Sequence, residues 1–130
     1  MTRRVLFVCV ENAGRSQMAE GFARAYGLDA SSAGTLPAEE VNPIAVQAMR
    51  ERGIALPGKP KKLTEQMIND ADLIVTMGCS VQEVCPAPMV QQMHKKLVDW
   101  QIEDPKGKQI EEVRKIGSEI ESKVMELLKR

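Results

Sequence analysis

The feature that most constrains the fold of this chain is an uninterrupted apolar segment that leads through a short loop into an amphipathic segment. Residues 5–9 are all apolar and lack the alternation of a strand with one solvent-facing side. Such a run is typical of a central strand in a parallel sheet that is covered on both faces. After a loop that contains Gly14, residues 16–26 carry their apolar side chains on one side of a predicted helix, which Gly27 ends.

The rest of the chain alternates predicted strands with predicted helices. A strand over 29–33 is followed by a helix that begins at Asn42-Pro43 and stops at Gly53. A surface loop over 54–63, which carries Lys59, Lys61 and Lys62, leads to a short helix over 64–69. A strand over 73–77, a weaker strand over 96–100 and a final helix from near Gln109 complete the chain. Such alternation implies a parallel sheet with right-handed crossovers. We predict a three-layer α/β domain with a four-stranded parallel sheet, and 130 residues suit a single domain over 1–130.

The charge distribution argues against a nucleic-acid partner, and the shortness of the N-terminal apolar run argues against a membrane span. The 18 basic and 18 acidic residues are mixed along the chain, whereas a nucleic-acid-binding surface needs a basic excess. The apolar run near the N-terminus covers only residues 5–10, which is too short for a signal peptide or a membrane span. We therefore expect a cytoplasmic protein. In a reducing cytosol its three cysteines are structural residues, metal ligands or reactive thiols rather than a disulfide framework.

Three residues with chemically useful side chains each follow a predicted strand. Cys9 ends the first strand, Cys79 comes just after the strand over 73–77, and Asp104 follows the strand over 96–100. Ligands of open α/β sheets bind beyond the carboxyl ends of the strands. We expect these residues to meet at one edge of the sheet.

The loop between the first strand and the first helix has the composition of an anion-binding site. Five residues that include a glycine separate Cys9 from Arg15, and such a loop can point successive backbone N–H groups inward. The helix N-terminus adds a partial positive charge, and Arg15 can present two donors to a tetrahedral anion. The predicted oxyanion-binding residues are Val10, Glu11, Asn12, Ala13, Gly14, Arg15 and Ser16.

Within this loop we predict that Cys9 is a catalytic nucleophile. A positive field favours the thiolate, Ser16 can donate a hydrogen bond to the sulfur, and Asn12 can hold the loop backbone through its amide. The alternative is that Cys9 is a small buried residue ending a strand. The C-x5-R pattern is short, but its position between a buried strand and a helix favours an oxyanion site. The chain has neither G-x-G-x-x-G nor G-K-S/T, which excludes dinucleotide and Walker loops.

Asp104 and the two later cysteines are further candidate catalytic residues. Pro105 favours an extended Asp104, whose carboxyl group could act as a general acid; the alternative is a common Asp-Pro turn. Cys79 and Cys85 beside a nucleophilic cysteine suggest a relay by thiol–disulfide exchange. Two alternatives are a pair of inert cysteines and a zinc site completed by His94, which would lack an obvious fourth ligand. We predict no metal.

Several segments together carry a family resemblance. They are V-L-F-V-C-V-E-N-A-G-R-S-Q-M-A-E-G-F (5–22), S-A-G-T (32–35), V-N-P-x-A (41–45), D-L-I-V-T-M-G-C (72–79), C-P (85–86) and W-x-I-E-D-P-x-G-K (100–108). With these segments the chain resembles the thioredoxin-coupled arsenate reductases, which have the low-molecular-weight protein tyrosine phosphatase fold. The run E-N-A-G-R-S-Q-M-A-E and the two later cysteines favour a reductase over a phosphatase.

The resemblance implies a single catalytic domain that reduces arsenate to arsenite. Cys9 would attack arsenate to form a covalent arseno-thiolate, Arg15 and the loop amides would hold its oxygens, and Asp104 would protonate the departing hydroxyl. Cys79 would then attack Cys9 and release arsenite, and Cys85 would attack Cys79 and carry the disulfide to the surface. Thioredoxin would reduce that disulfide. Five residues separate Cys79 from Cys85, and they lack the G-D-A of the C-x3-C members of the family.

The resemblance also implies the partners and the absence of a cofactor. We expect arsenate as substrate, phosphate and sulfate as competing anions, thioredoxin as partner, a monomer, and no metal or organic cofactor. Some family members bind potassium near the loop. Asn12, Glu20 and Ser32 match that pattern, whereas its aspartate has no match here.

Two other functions stay open. A low-molecular-weight protein tyrosine phosphatase would use Cys9, Arg15 and Asp104 without the other thiols. Lys106 and Gly107 stand where such phosphatases often carry aromatic residues, which disfavours aryl phosphates. A non-catalytic oxyanion or redox sensor would bind the anion without turnover.

Overall fold

The computed structural model describes residues 4–56, 59–77 and 97–129. The helices and strands of these residues are β1 (Arg4–Cys9), α1 (Arg15–Ala25), β2 (Asp29–Gly34), α2 (Pro43–Arg50), α3 (Glu65–Asp70), β3 (Leu73–Thr76), β4 (Leu97–Asp99) and α4 (Ile110–Leu128). The predictions for Cys79, Cys85 and His94 fall outside the described residues. No described helix is long and apolar enough to cross a membrane.

The four described strands form one parallel sheet in the order β2-β1-β3-β4, which confirms the predicted fold class. β1 lies inside the sheet, where Val8 pairs with Ala33 on one side and with Thr76 on the other. The chain runs from β1 to β2 and then returns to β3 on the opposite side of β1. Crevices of open sheets form at such reversals, beyond the carboxyl ends of the strands, and Cys9 is the last residue of β1.

Helices cover both faces of the sheet and produce the three predicted layers. On one face, side chains of α1, α2 and α4 form an apolar core with Phe7 of β1, whose ring lies 5.8 Å from that of Trp100. On the other face, Leu6 and Val8 pack in a second core with Ile68 of α3. Because successive side chains of a strand point to opposite faces, the residues of β1 alternate between the two cores. Both faces of β1 are therefore dry, which explains its unbroken apolar sequence.

Local sequence signals set the ends of several helices. Asn42 caps α2 and accepts the N–H of Ile44 over 2.9 Å, and Thr64 caps α3 and accepts the N–H of Met67 over 3.2 Å. Gly27 follows α1 with a φ of 90°, the left-handed conformation that favours glycine. These ends agree with the predictions to within one or two residues.

Leu128 is 42% exposed, although it continues the three- and four-residue spacing of the apolar residues of α4, and its neighbour Leu127 is buried. The loop over 54–63 was predicted to be a surface loop. Its end also continues the sheet beside β2, since Gly34 donates to the carbonyl of Lys61 over 2.7 Å and accepts from Leu63 over 2.8 Å. Buried backbone groups at the end of β2 need such partners.

Candidate active site

A cleft of about 400 Å³ opens at the carboxyl end of β1. It is lined by the loop from β1 to α1 (residues 9–16, the Cys9 loop), by residues 38–42, and by part of the loop that follows β4 (residues 102–107, the Asp104 loop). Cys9, Arg15 and Asp104 all line it, so the predicted nucleophile, cation and acid share one site. Cys79 and Cys85 lie outside the described residues.

The segment after β2 holds the backbone of the Cys9 loop through four hydrogen bonds in which the segment is the donor. The carbonyl oxygens of Cys9, Val10, Glu11 and Ala13 accept N–H groups from Thr35, Leu36, Ala38 and Asn42 over 3.3, 2.8, 3.0 and 2.7 Å respectively. Four consecutive or near-consecutive loop carbonyls are therefore tied to the segment 35–42.

Tying the carbonyls orients the N–H groups of the loop. The described peptide bonds are all trans, and in a trans peptide the carbonyl and the following N–H point in opposite directions. The N–H groups of Val10, Glu11, Asn12 and Gly14 must therefore point away from the carbonyl partners. The N–H of Asn12 shows where they face, because it donates to the Sγ of Cys9 over 3.2 Å. The loop thus presents N–H groups to the side of the sulfur, the arrangement of an anion-binding nest.

Two residues permit this tight loop. Asn12 has a φ of 52°, a left-handed conformation that asparagine tolerates better than most residues. Gly34 lies against the loop, where a Cβ would stand 2.7 Å from the carbonyl oxygen of Val10 and 2.8 Å from the nitrogen of Asn12. Only glycine allows two backbones to approach so closely.

The sulfur of Cys9 is buried and receives hydrogen-bond donors. Its Sγ lies 2.9 Å from the Oγ of Ser16. That oxygen already accepts the side-chain amide of Asn12 over 2.7 Å, so its own hydrogen is free to point at the sulfur. Together with the backbone N–H of Asn12 and the N-terminus of α1, the Ser16 hydroxyl surrounds the sulfur with hydrogen-bond donors and partial positive charge.

The side chain of Asn12 links the Cys9 loop to a segment that is distant in sequence. Its Oδ1 accepts the N–H of Lys61 over 2.9 Å and the Nε2 of Gln17 over 3.2 Å. Gln17 also donates to the carbonyl of Lys59 over 3.4 Å. Asn12 was predicted to hold the backbone of its own loop, but the backbone group that its side chain binds is the N–H of Lys61.

Arg15 is anchored by the Asp104 loop. Its Nη1 donates to the carbonyl of Ile102 over 3.1 Å, and its Nη2 lies 3.7 Å from the Oδ2 of Asp104. The Arg15 side chain is only 10% exposed, whereas that of Asp104 is 51% exposed. The guanidinium is thus oriented by protein contacts, and the carboxylate remains accessible from the cleft.

The residues that match the potassium pattern do not fit a bound potassium ion. The hydroxyl of Ser32 donates to Oε1 of the buried Glu20 over 2.9 Å. The Nζ of Lys61 lies 3.7 Å from the same oxygen, and the Nε of Arg24 lies 3.7 Å from Oε2. Two side-chain cations therefore already neutralise the carboxylate that a potassium ion would need. Elsewhere in ranges 4–56, 59–77 and 97–129, no group of three or more His, Cys, Asp or Glu side chains could hold a metal.

Comparison with known proteins places the chain in a family. It matches the model described as low molecular weight phosphotyrosine protein phosphatase over residues 4–130, and it belongs to that family. A glutaredoxin arsenate reductase from Synechocystis sp. is 34% identical over 97% of this chain and 96% of its own length. An arsenate reductase from Brevibacillus brevis is 35% identical over 94% of this chain and 91% of its own length. The resemblance predicted from the sequence is therefore confirmed.

Solved structures with this fold include both reductases and phosphatases. An arsenate reductase from Archaeoglobus fulgidus is 34% identical, with a TM-score of 0.80 over 97% of this chain and 99% of its own. A thioredoxin-dependent arsenate reductase from Corynebacterium glutamicum is 36% identical, with a TM-score of 0.77 over 98% of this chain and 61% of its own. A low molecular weight protein tyrosine phosphatase from T. tengcongensis is 29% identical, with a TM-score of 0.86 over 98% of this chain and 99% of its own.

Sequence reasoning missed several residues that support the site. Gly34 was predicted only to end a strand, and no role was predicted for Gln17. No local sequence pattern marks a residue that contacts the Cys9 loop from another element. Lys61 was predicted to be solvated, although its N–H supports Asn12 and its ammonium faces Glu20. Lysines around a proline, as in residues 59–62, are typical of exposed loops, so this segment gave no signal of such a contact.

Proposed function

We propose that this protein reduces arsenate to arsenite, with Cys9 as the nucleophile. The observation that carries the proposal is the position of the Cys9 sulfur, which lies among N–H and hydroxyl donors in a cleft that also contains Arg15 and Asp104. The curated relatives named as arsenate reductases, which match nearly the whole chain, support the choice of arsenate over other tetrahedral anions.

In the first step, the Cys9 thiolate attacks arsenic, and a sulfur–arsenic bond replaces an arsenic–oxygen bond. The N–H groups of the Cys9 loop and the guanidinium of Arg15 stabilise the negative oxygens of the transition state. Asp104 gives its proton to the departing hydroxyl, which leaves as water. Arsenic stays pentavalent in this step.

In the second step, the Cys79 thiolate attacks the sulfur of Cys9. A disulfide forms, the sulfur–arsenic bond breaks, and its electron pair stays on arsenic, which becomes trivalent and leaves as arsenite. Cys85 then attacks Cys79, so that Cys9 returns to a thiolate and the disulfide joins Cys79 and Cys85. A dithiol protein supplies the two electrons that reduce this disulfide.

The described end of β3 supports this relay. The N–H of Met77 donates to the carbonyl of Val8 over 2.9 Å, beside the start of the Cys9 loop. Cys79 follows Met77 by two residues in the sequence. The last described residue before Cys79 therefore lies beside the Cys9 loop.

We propose thioredoxin as the protein that reduces the Cys79–Cys85 disulfide. Thioredoxin-dependent reduction is named for the relative from Corynebacterium glutamicum, and glutaredoxin is named for the one from Synechocystis. Both reductants act by attack of a thiolate on a disulfide, so the assay must compare them directly.

Phosphatase activity is the second candidate function. Cys9, Arg15 and Asp104 are sufficient for it without Cys79 or Cys85, and the related phosphatase structure from T. tengcongensis favours it. A phosphate ester would form a phosphocysteine that water hydrolyses.

The deciding experiment measures NADPH oxidation with arsenate, thioredoxin and thioredoxin reductase, in the wild type and in Cys79→Ser and Cys85→Ser variants. The wild type should turn over continuously, and both variants should stop. Cys85→Ser should still release one arsenite per molecule and accumulate a Cys9–Cys79 disulfide detectable by mass spectrometry, which provides an internal control for folding. Replacing thioredoxin with glutaredoxin and glutathione identifies the reductant. Full turnover in Cys79→Ser would exclude the relay, and aryl phosphate hydrolysis without arsenate reduction would establish the phosphatase.

A further inference from the structure

The Asp104 loop touches the Cys9 loop at two places besides the contacts of Arg15. A Cβ on Gly14 would stand 2.6 Å from the Cγ of Pro105, so the proline ring lies directly on the backbone of the Cys9 loop. One residue further on, the Nζ of Lys106 forms an ion pair of 2.9 Å with the Oε1 of Glu11. The two loops are therefore joined on both sides of Pro105.

Lys106 is coupled to Asp104 as well as to Glu11. Its backbone N–H donates to the Oδ1 of Asp104 over 3.0 Å. The pKa of its ammonium group is raised by the hydrogen bond to Glu11 and by the negative charge of Glu11. The negative charge of Asp104 raises this pKa more weakly. A single residue thus binds the carboxylate through its backbone and the opposite loop through its side chain. Displacement of Lys106 must move the N–H group that orients Asp104.

We propose that the Glu11–Lys106 ion pair is a clasp that holds the Asp104 loop on the Cys9 loop and positions Asp104 for proton transfer. Both members line the cleft, and the pair joins the two loops without involving any of the proposed catalytic side chains. The inference rests on the proposed role of Asp104 as an acid, but it does not depend on the cysteine relay.

The expected loss of activity without the ion pair follows from the solvent exposure of its two side chains. The side chain of Lys106 is 70% exposed and that of Glu11 is 35% exposed, so water and salt screen the pair. The loops stay in contact through Pro105 and Arg15 when the pair is lost. We therefore expect a decrease of about three- to tenfold in the proton-transfer step, which depends steeply on the position of the acid.

The test is a double-mutant cycle on ester hydrolysis. Lys106→Met removes the charge and keeps most of the side-chain volume, and it is measured alone and combined with Asp104→Asn. Phenyl phosphate, whose leaving group needs a proton, is compared with 4-nitrophenyl phosphate, whose leaving group needs it less. Lys106→Arg should keep the ion pair. Lys115→Met is the control, because Lys115 is an exposed lysine of α4 that does not line the cleft.

The clasp predicts a specific pattern of results. Lys106→Met should lower kcat/KM more for phenyl phosphate than for 4-nitrophenyl phosphate, leave inhibition by inorganic phosphate unchanged, and have no further effect once Asp104 is replaced. Lys106→Arg and Lys115→Met should behave as the wild type. Equal losses for both esters, weaker phosphate inhibition, or a full additional loss in the Asp104→Asn background would overturn the inference.

A parallel measurement separates failure of the clasp from failure of the proposed function. The same variants are assayed for arsenite formed in a single turnover with arsenate. Ester hydrolysis without arsenite formation would refute the proposed function and leave the clasp to be judged on the esters. Inactivity of the wild type in both assays would refute both, because Asp104 would then have no proton transfer to assist.

Discussion

Replacement of Gly34 by alanine tests whether the Cys9 loop is held rigidly against β2. The added Cβ would approach three backbone atoms of the loop, at 2.7 Å from the oxygen of Val10, 2.8 Å from the nitrogen of Asn12 and 2.9 Å from the carbonyl carbon of Glu11. Backbone cannot rotate away as a side chain can. The loop must therefore move as a unit or β2 must shift beneath it.

These distances set the expected losses of stability and activity in Gly34→Ala. Ordinary contacts of a Cβ with such atoms begin at 3.4 Å. The loop must retreat by roughly 0.5–1 Å, because protein interiors are too closely packed to absorb the methyl group elsewhere. Overpacking of this kind costs about 1–3 kcal/mol of the free energy of unfolding. A misplacement of about 1 Å in an oxyanion site lowers the rate roughly 100-fold.

Two measurements on Gly34→Ala check these values, and Gly117→Ala is the control. Urea denaturation gives the change in unfolding free energy, and calorimetric titration with phosphate gives the affinity of the loop for a tetrahedral anion. At Gly117 the nearest atom to an added Cβ is the Cε of Met18 at 3.1 Å, the flexible end of a side chain. That control should keep its phosphate affinity. Wild-type phosphate affinity and turnover in Gly34→Ala would refute the rigid contact.

Three further substitutions give separate tests. Ser16→Ala removes a donor to the Cys9 sulfur, and we expect alkylation by iodoacetamide at neutral pH to slow about tenfold, since hydrogen bonds to charged groups contribute about 1.5–3 kcal/mol; an unchanged rate would show that the hydroxyl does not act on the sulfur. Asn42→Ala removes the cap of α2 and should lower the unfolding free energy by about 1 kcal/mol in urea, whereas Asn42→Asp should retain most of it. Lys61→Met leaves a buried carboxylate with one cationic neighbour fewer and should destabilise the fold by about 1–2 kcal/mol; Lys62→Met, the neighbouring control, should not, and equal losses would contradict the pairing.

Much of the fold was predictable because its signals are local. The unbroken apolar run of β1 reflects burial on both faces, and the caps at Asn42 and Thr64 act on N–H groups only two or three residues away. The parallel sheet followed from the alternation of strands and helices. The Cys9 loop was also predictable, since its nucleophile, its glycine and its arginine lie within seven consecutive residues.

The sequence by itself therefore determined the elements, the fold class and the composition of the anion-binding loop. Tertiary structure alone decided what holds that loop: the contact with Gly34, the link from Asn12 to Lys61, and the pairing of Glu11 with Lys106. These contacts join residues that are about 20 to 95 positions apart, and each consists of one hydrogen bond, one ion pair or one missing methyl group. A periodic pattern accumulates over many residues and can be read along the chain, whereas a single long-range contact leaves no repeat and becomes visible only when the sheet brings its partners together.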